Sequence, residues 1–142
     1  MGNMLEARIK LINDKIKFSC KAKDNPEIIA DYIPPLGNNE GYMPLELFLT
    51  SLGACTSGTV LPILRAMRKT IDGFEMKIEG IRREEHPTSF ACIVMDMVFQ
   101  SSDLEPADVE KALKLAKDTY CPVWSMIKES VTIETKYEIT KS

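Results

Sequence analysis

Met43-Pro44-Leu45-Glu46-Leu47-Phe48-Leu49-Thr50-Ser51-Leu52-Gly53-Ala54-Cys55-Thr56-Ser57-Gly58 has the pattern of a central helix around which the other elements pack. A proline suited to a first helical turn opens it, and the apolar run that follows is too continuous for a surface helix. Continued to about Lys69, with Val60, Leu61, Ile63, Leu64 and Met67, the apolar side chains cover every side of a helical wheel. That is the pattern of a buried helix. Gly53, Gly58 and Pro62 lie inside it, and Pro62 removes the bond to the Gly58 carbonyl, so a kink is expected in the second half. A thiol, Cys55, sits mid-run. It is either inert packing or the reagent the fold is built to hold.

Before this helix, the N-terminal segment Glu6 to Ile12 alternates, with Ala7, Ile9 and Leu11 on one face, and Lys15 to Ala22 alternates again after an Asn13-Asp14 turn. This reads as a hairpin with one wet face, and Glu27 to Ile33 can add a third strand. Pro34 to Gly41 is a surface loop by composition. Beyond the helix, Gly73 to Ile81 alternates cleanly, and Phe90 to Gln100 is apolar on nearly both faces, as a central strand covered on both sides would be. Ser102 or Asp103 then caps a helix over Ala107 to Thr119. A second short helix starts at Tyr120-Cys121-Pro122, and Val131 to Ile139 closes the chain as a strand. The order β-β-(β)-α-β-β-α-α-β indicates an α+β protein, and residues 1–142 are expected to form one domain.

With 21 acids against 18 bases and a net charge of −3, the chain lacks the basic excess of a nucleic-acid surface. The nearest basic cluster, Arg65 to Lys69, suits the C-terminal end of the central helix instead. No secretory signal stands out and no run of 18 apolar residues is present, so no spanning segment is expected and the cytoplasm is the expected setting. Cys20, Cys55, Cys92 and Cys121 are far apart, and His86 is the one histidine. A metal centre would need ligands from four distant segments, so no metal is expected.

Cys20 and Cys92 fall mid-strand among apolar neighbours and read as packing. Cys121 immediately precedes Pro122, so its sulfur should lie near the free N–H groups that begin the next helix, where a thiolate is favoured. Cys55 has only Ser51 and Thr59 one turn away as hydrogen-bonding neighbours, neither a base nor a cation. Any activating group must come from another segment or another subunit. On spacing alone, reactivity and packing both stay open for Cys55 and Cys121.

Pro44-x-Glu46-Leu47-Phe48-Leu49 leading to Leu52-Gly53-Ala54-Cys55-Thr56 resembles the first cysteine motif of the OsmC/Ohr superfamily, the osmotically inducible and organic hydroperoxide resistance proteins. Tyr120-Cys121-Pro122-Val123 resembles the second, and Ala7-Arg8-Ile9-Lys10 with the Arg82-Arg83 turn looks most like a third, less characterised branch. The resemblance covers nearly the whole chain. It implies an OsmC-like fold in an intertwined homodimer, with long central helices and six-stranded antiparallel-type sheets completed between subunits. It further implies that Cys55 attacks a hydroperoxide to give a sulfenic acid, that Cys121 resolves it to a disulfide, and that a dithiol reductant regenerates both thiols, with no metal or organic cofactor. Organic hydroperoxide enzymes of this superfamily carry a glutamate directly after the proline, where this chain has Leu45. The acid here is Glu46, about 180° from Cys55 on an ideal helix. The arginine those enzymes use has one counterpart before the central helix, Arg8, so Glu46 and Arg8 are the supporting candidates. The competing reading is a non-catalytic dimeric binding protein whose interface pocket takes a small electrophilic or sulfur-containing ligand.

Overall fold

The structure, a computed structural model, describes residues 2–142. Its elements run β1 (Arg8–Leu11), β2 (Phe18–Lys21), β3 (Ile28–Ala30), α1 (Pro44–Ala66), β4 (Gly73–Arg82), β5 (Phe90–Gln100), α2 (Pro106–Leu115), α3 (Pro122–Ile127) and β6 (Thr132–Thr140), with a π-helical turn (Ala116–Tyr120) between α2 and α3. This is the α+β order expected from the sequence. The chain divides into two compact units, Met1–Phe48 and Leu49–Ser142.

In the N-terminal unit, β1, β2 and β3 form an antiparallel sheet in that order, with Ile9 opposite Cys20 and Phe18 opposite Ala30. The hairpin is closed by Asn13, whose Oδ1 accepts the N–H groups of Lys15 and Lys17. The Pro34–Gly41 segment is more than a surface loop. It wraps the fully buried Asp31, whose carboxylate accepts N–H bonds from Tyr32, Asn38 and Glu40. Burial alone would raise the Asp31 pKa; those three bonds, with Lys17 nearby, bring it below the ordinary carboxylate value. Gly37 is required there, since a Cβ would lie 2.2 Å from the Tyr32 carbonyl oxygen.

The helix α1 begins as its sequence predicts, with Pro44 in the first turn and the Glu46 carboxylate accepting the Met43 N–H at 2.8 Å. This is the reciprocal half of a capping box. The helix runs unbroken through Pro62 and stops at Ala66, three residues before the expected end. Arg68 takes a left-handed conformation (φ 64°), and the Lys69 N–H returns to the Leu64 carbonyl, a glycine-type helix stop made without glycine. Lys69 is no part of a basic patch: its ammonium pairs with Asp108 at 3.3 Å.

In the C-terminal unit the sheet order is β4-β5-β6, which makes β5 the central strand. The β4–β5 pairing is antiparallel, but β6 runs parallel to β5, which corrects the antiparallel expectation for this edge. The cause is topological. Two helices separate β5 from β6, and a crossover of that length returns a strand in the same direction. The core consists of Ile93, Met95, Met97 and Phe99 from one face of β5, with Leu52, Val60 and Leu64 of α1, Val109, Ala112 and Leu113 of α2, and Trp124. The other face of β5 is less buried than the expected burial on both faces: Cys92, Val94 and Asp96 are half-buried and Val98 is 37% exposed. Gly53 brings α1 close to β4, where a Cβ would meet Met76 Sδ at 3.2 Å.

Against the expectation of no spanning segment, α1 is long and apolar enough to cross a membrane by length and composition, with an 18-residue window of mean hydropathy 1.6. Leu52, Val60 and Leu64 are fully buried in the protein core, and a core helix passes the same test. On its other side Ala54, Gly58, Pro62 and Ala66 are exposed.

The α2 cap also differs from expectation. Glu105, not Ser102 or Asp103, is the N-cap, in a capping box with Asp108. Asp103 instead receives the Thr70 N–H, and the buried Ser101 hydroxyl bridges to the Thr70 carbonyl.

Candidate thiol site

Two elements of the C-terminal unit converge on one pair of sulfurs. Cys55, half-buried on α1, lies 3.0 Å from the Sγ of Cys121, which is buried at the start of α3. Both cysteines are free thiols.

The placement of Cys121 follows from local chemistry. A π-helical turn has one more residue in each hydrogen-bonded ring than an α-helix, and here it ends with the Cys121 N–H bonded to the Ala116 carbonyl at 2.9 Å. Pro122 then occupies the first position of α3, where its missing N–H costs nothing. Cys121 becomes the N-cap, and its sulfur accepts the Trp124 N–H at 3.5 Å. The sulfur thus lies beside a helix-starting N–H, as Pro122 implies, and does the work of a capping Ser or Thr oxygen.

Two further groups complete the site. The Thr56 hydroxyl, fully buried, lies 3.8 Å from Cys121 Sγ. The Val123 backbone N–H acts on Cys55 and favours its thiolate. It is outweighed: burial pushes the Cys55 thiol up from its ordinary value, and the neighbouring Cys121 adds to that. No cation acts on Cys55 among the described residues. Thr59, one of its expected neighbours, gives its hydroxyl to the Cys55 carbonyl at 2.9 Å rather than to the sulfur.

Glu46 and Arg8 belong to the N-terminal unit. Glu46 caps the start of α1, and Arg8, well exposed, pairs with Glu6 at 3.2 Å. Cys20 and Cys92 stay half-buried in β2 and β5, and His86 is exposed in the turn before β5. Sequence reasoning missed Thr56, Val123 and Trp124. Pro122 at the first helical position does mark Trp124 as the third-residue donor. Nothing in the residue pattern shows that Val123 reaches a sulfur on a different helix.

This arrangement can do two-electron thiol chemistry. A half-buried thiol can meet a small oxidant, and a second thiol in contact with it can condense with the oxidised product. No group of three or more His, Cys, Asp or Glu side chains able to hold a metal is found among the described residues.

The chain is 29% identical over 137 residues to Protein YhfA of Escherichia coli strain K12, covering 95% of this chain and 98% of that protein. It superposes on a hypothetical protein of Aquifex aeolicus VF5 with a TM-score of 0.86, at 28% identity over 99% of each chain. It also shares its fold with the organic hydroperoxide resistance protein OhrB of Bacillus subtilis, with a TM-score of 0.64 at 16% identity, covering 96% of this chain and 98% of that one. Residues 37–136, which include both cysteines of the pair, match the family model described as OsmC-like protein, and the chain therefore belongs to the OsmC-like family.

Proposed function

We propose that this protein is a thiol-dependent peroxidase that reduces organic hydroperoxides, with Cys55 as the attacking thiol and Cys121 as the resolving one. The observation that carries the reading is the 3.0 Å contact between a half-buried and a buried sulfur. Cys55 as thiolate attacks the O–O bond, the alcohol departs, and a sulfenic acid remains on Cys55. Cys121 attacks that sulfur, water leaves, and the Cys55–Cys121 disulfide forms. A dithiol reductant then restores both thiols, which suits a reducing, cytoplasmic setting.

The working form in this reading is a homodimer. Three exposed apolar surfaces support it: the Ala54, Gly58, Pro62 and Ala66 side of α1, Val98 on the open face of β5, and Ile9 and Leu11 on the edge strand β1, 62% and 53% exposed. An uncovered apolar edge strand is a pairing site unless something covers it. A second copy would supply the missing strands and a charge for Cys55, for which Arg8 is the candidate.

One observation favours a second reading, a dimeric binding protein that takes a small electrophilic ligand without turning it over: the Cys55 thiol is raised by its surroundings. Peptide mapping after oxidation separates the two. With less than one equivalent of cumene hydroperoxide, the peroxidase reading expects a Cys55–Cys121 disulfide in the parent chain, none in Cys55→Ser, and a persistent sulfenic acid in Cys121→Ser. Two reduced thiols under excess peroxide would exclude a peroxidase.

A further inference from the structure

Three hydroxyl side chains follow Cys55 closely on α1, and they are used differently. The Ser57 and Thr59 hydroxyls donate to carbonyls one turn back, those of Gly53 and Cys55, at 2.7 and 2.9 Å. Such back-bonding is the usual fate of a helical Ser or Thr. Thr56 differs. It has no exposed surface, and its one hydrogen-bond partner among the described residues is the Cys121 sulfur at 3.8 Å. A buried hydroxyl with nothing better than a thiol is poorly served unless that sulfur becomes charged, because hydrogen bonds to ionised acceptors are about twice as strong as neutral ones.

The three contacts around Cys121 Sγ define its orientation. The Trp124 N–H points at the sulfur, the S–H points at Cys55, and the Thr56 hydroxyl fills a third direction. We propose that Thr56 is a positioning residue for the resolving step: its hydroxyl holds the Cys121 sulfur toward Cys55 and stabilises the negative charge that gathers on that sulfur. The proposal rests on the peroxidase reading above and concerns only its second half. In that half the Cys121 S–H proton passes to the oxygen of the Cys55 sulfenic acid, the S–O bond breaks, water leaves, and the S–S bond forms. When a dithiol later attacks Cys55, the S–S bond breaks and Cys121 leaves as a thiolate, again facing the Thr56 hydroxyl. Two electrons enter from the dithiol, and two have gone to the peroxide.

The test compares Thr56→Val, which keeps the shape and removes the hydroxyl, with Thr56→Ser, which keeps the hydroxyl. The sulfenic acid is trapped with dimedone during a single turnover with cumene hydroperoxide, and disulfide is followed in parallel. The expected result is that Thr56→Val slows disulfide formation by about tenfold, the scale for losing a hydrogen bond to a developing charge. Dimedone adduct should rise accordingly, and Thr56→Ser should restore the parent behaviour. Thiolate absorbance of Cys121 in a Cys55→Ser background should also move to higher pH with Thr56→Val, which a packing role would not cause. Equal disulfide rates in the parent and Thr56→Val, or equal slowing by Val and Ser, would overturn the proposal. So would loss of the fold in both Thr56→Val and Thr56→Ala, since the hydroxyl would then serve the core. Diamide, an oxidant that forms the same disulfide without peroxide, keeps the two ideas separate. If peroxide leaves Cys55 untouched but diamide closes the disulfide with the same ranking of variants, the peroxidase reading fails and the role of Thr56 stands.

Discussion

At Cys55, geometry and acidity pull in opposite directions. The sulfur is within reach of its partner, yet burial and the Cys121 thiol raise it above the ordinary thiol value, and only the Val123 N–H opposes them. Since the thiolate is the nucleophile, a raised thiol reacts faster as pH rises, by about tenfold per unit until its pKa is passed. Cys55 oxidation, followed as loss of thiol against a fixed concentration of cumene hydroperoxide, is therefore expected to climb from pH 6 through pH 9. A rate already level at pH 6 would mean that a cation, absent from the influences on Cys55 within the chain, reaches it in the assembled protein. The Leu45 position sharpens the point. At the start of α1 this chain has the apolar Leu45, and the adjacent acid, Glu46, is occupied in capping the helix.

At the scale of elements, the chain is legible where periodicity carries information and opaque where a single side chain overrides it. The strand Phe90–Gln100 follows from its apolar run, and Pro44 and Pro122 fix the starts of α1 and α3 as their chemistry requires. The end of α1 is not legible, because Arg68 takes the left-handed position that a sequence reader assigns to glycine. The π-helical turn that places Cys121 leaves no mark either, since it differs from a continued α-helix by one residue in a ring. Asp31 hides in an apolar segment that reads as strand, although its buried carboxylate holds the whole following loop. The Arg68 geometry gives a direct expectation. A non-glycine residue in this conformation is strained by roughly 1 kcal/mol or somewhat more, so Arg68→Gly should raise stability by about 1 kcal/mol in urea unfolding. Unchanged or lowered stability would show that the strain is relieved by contacts of the arginine.

For the whole molecule, the decisive feature is that apolar surface remains open. The β5 pattern reads as covered on both faces, yet within one chain only the Ile93, Met95, Met97 and Phe99 face is buried. The all-round apolar wheel of α1 has the same character: one side is core, and the other is exposed. A sequence records the burial of the functioning assembly and does not say which chain provides it. Gly58 gives a clean handle on this, since it is exposed and a Cβ there would meet nothing within 4 Å. Gly58→Glu improves helix propensity by several tenths of a kcal/mol or more, so it should leave the protomer folded while placing a charge in the proposed contact. The mass measured by light scattering should fall from that of two chains to that of one. A mutant that stays dimeric would move the interface away from this side of α1.

In the proposed reaction Cys55 and Cys121 work as a pair in the reduction of a hydroperoxide. Its most direct measurement is a titration of the reduced protein with cumene hydroperoxide, counting thiols lost and alcohol formed at each step. Each peroxide consumed is expected to remove two thiols, those of Cys55 and Cys121, and to yield one cumyl alcohol, with Cys20 and Cys92 still reduced at the end point. Peroxide left unconsumed, or thiols lost from Cys20 and Cys92 in preference to this pair, would contradict it.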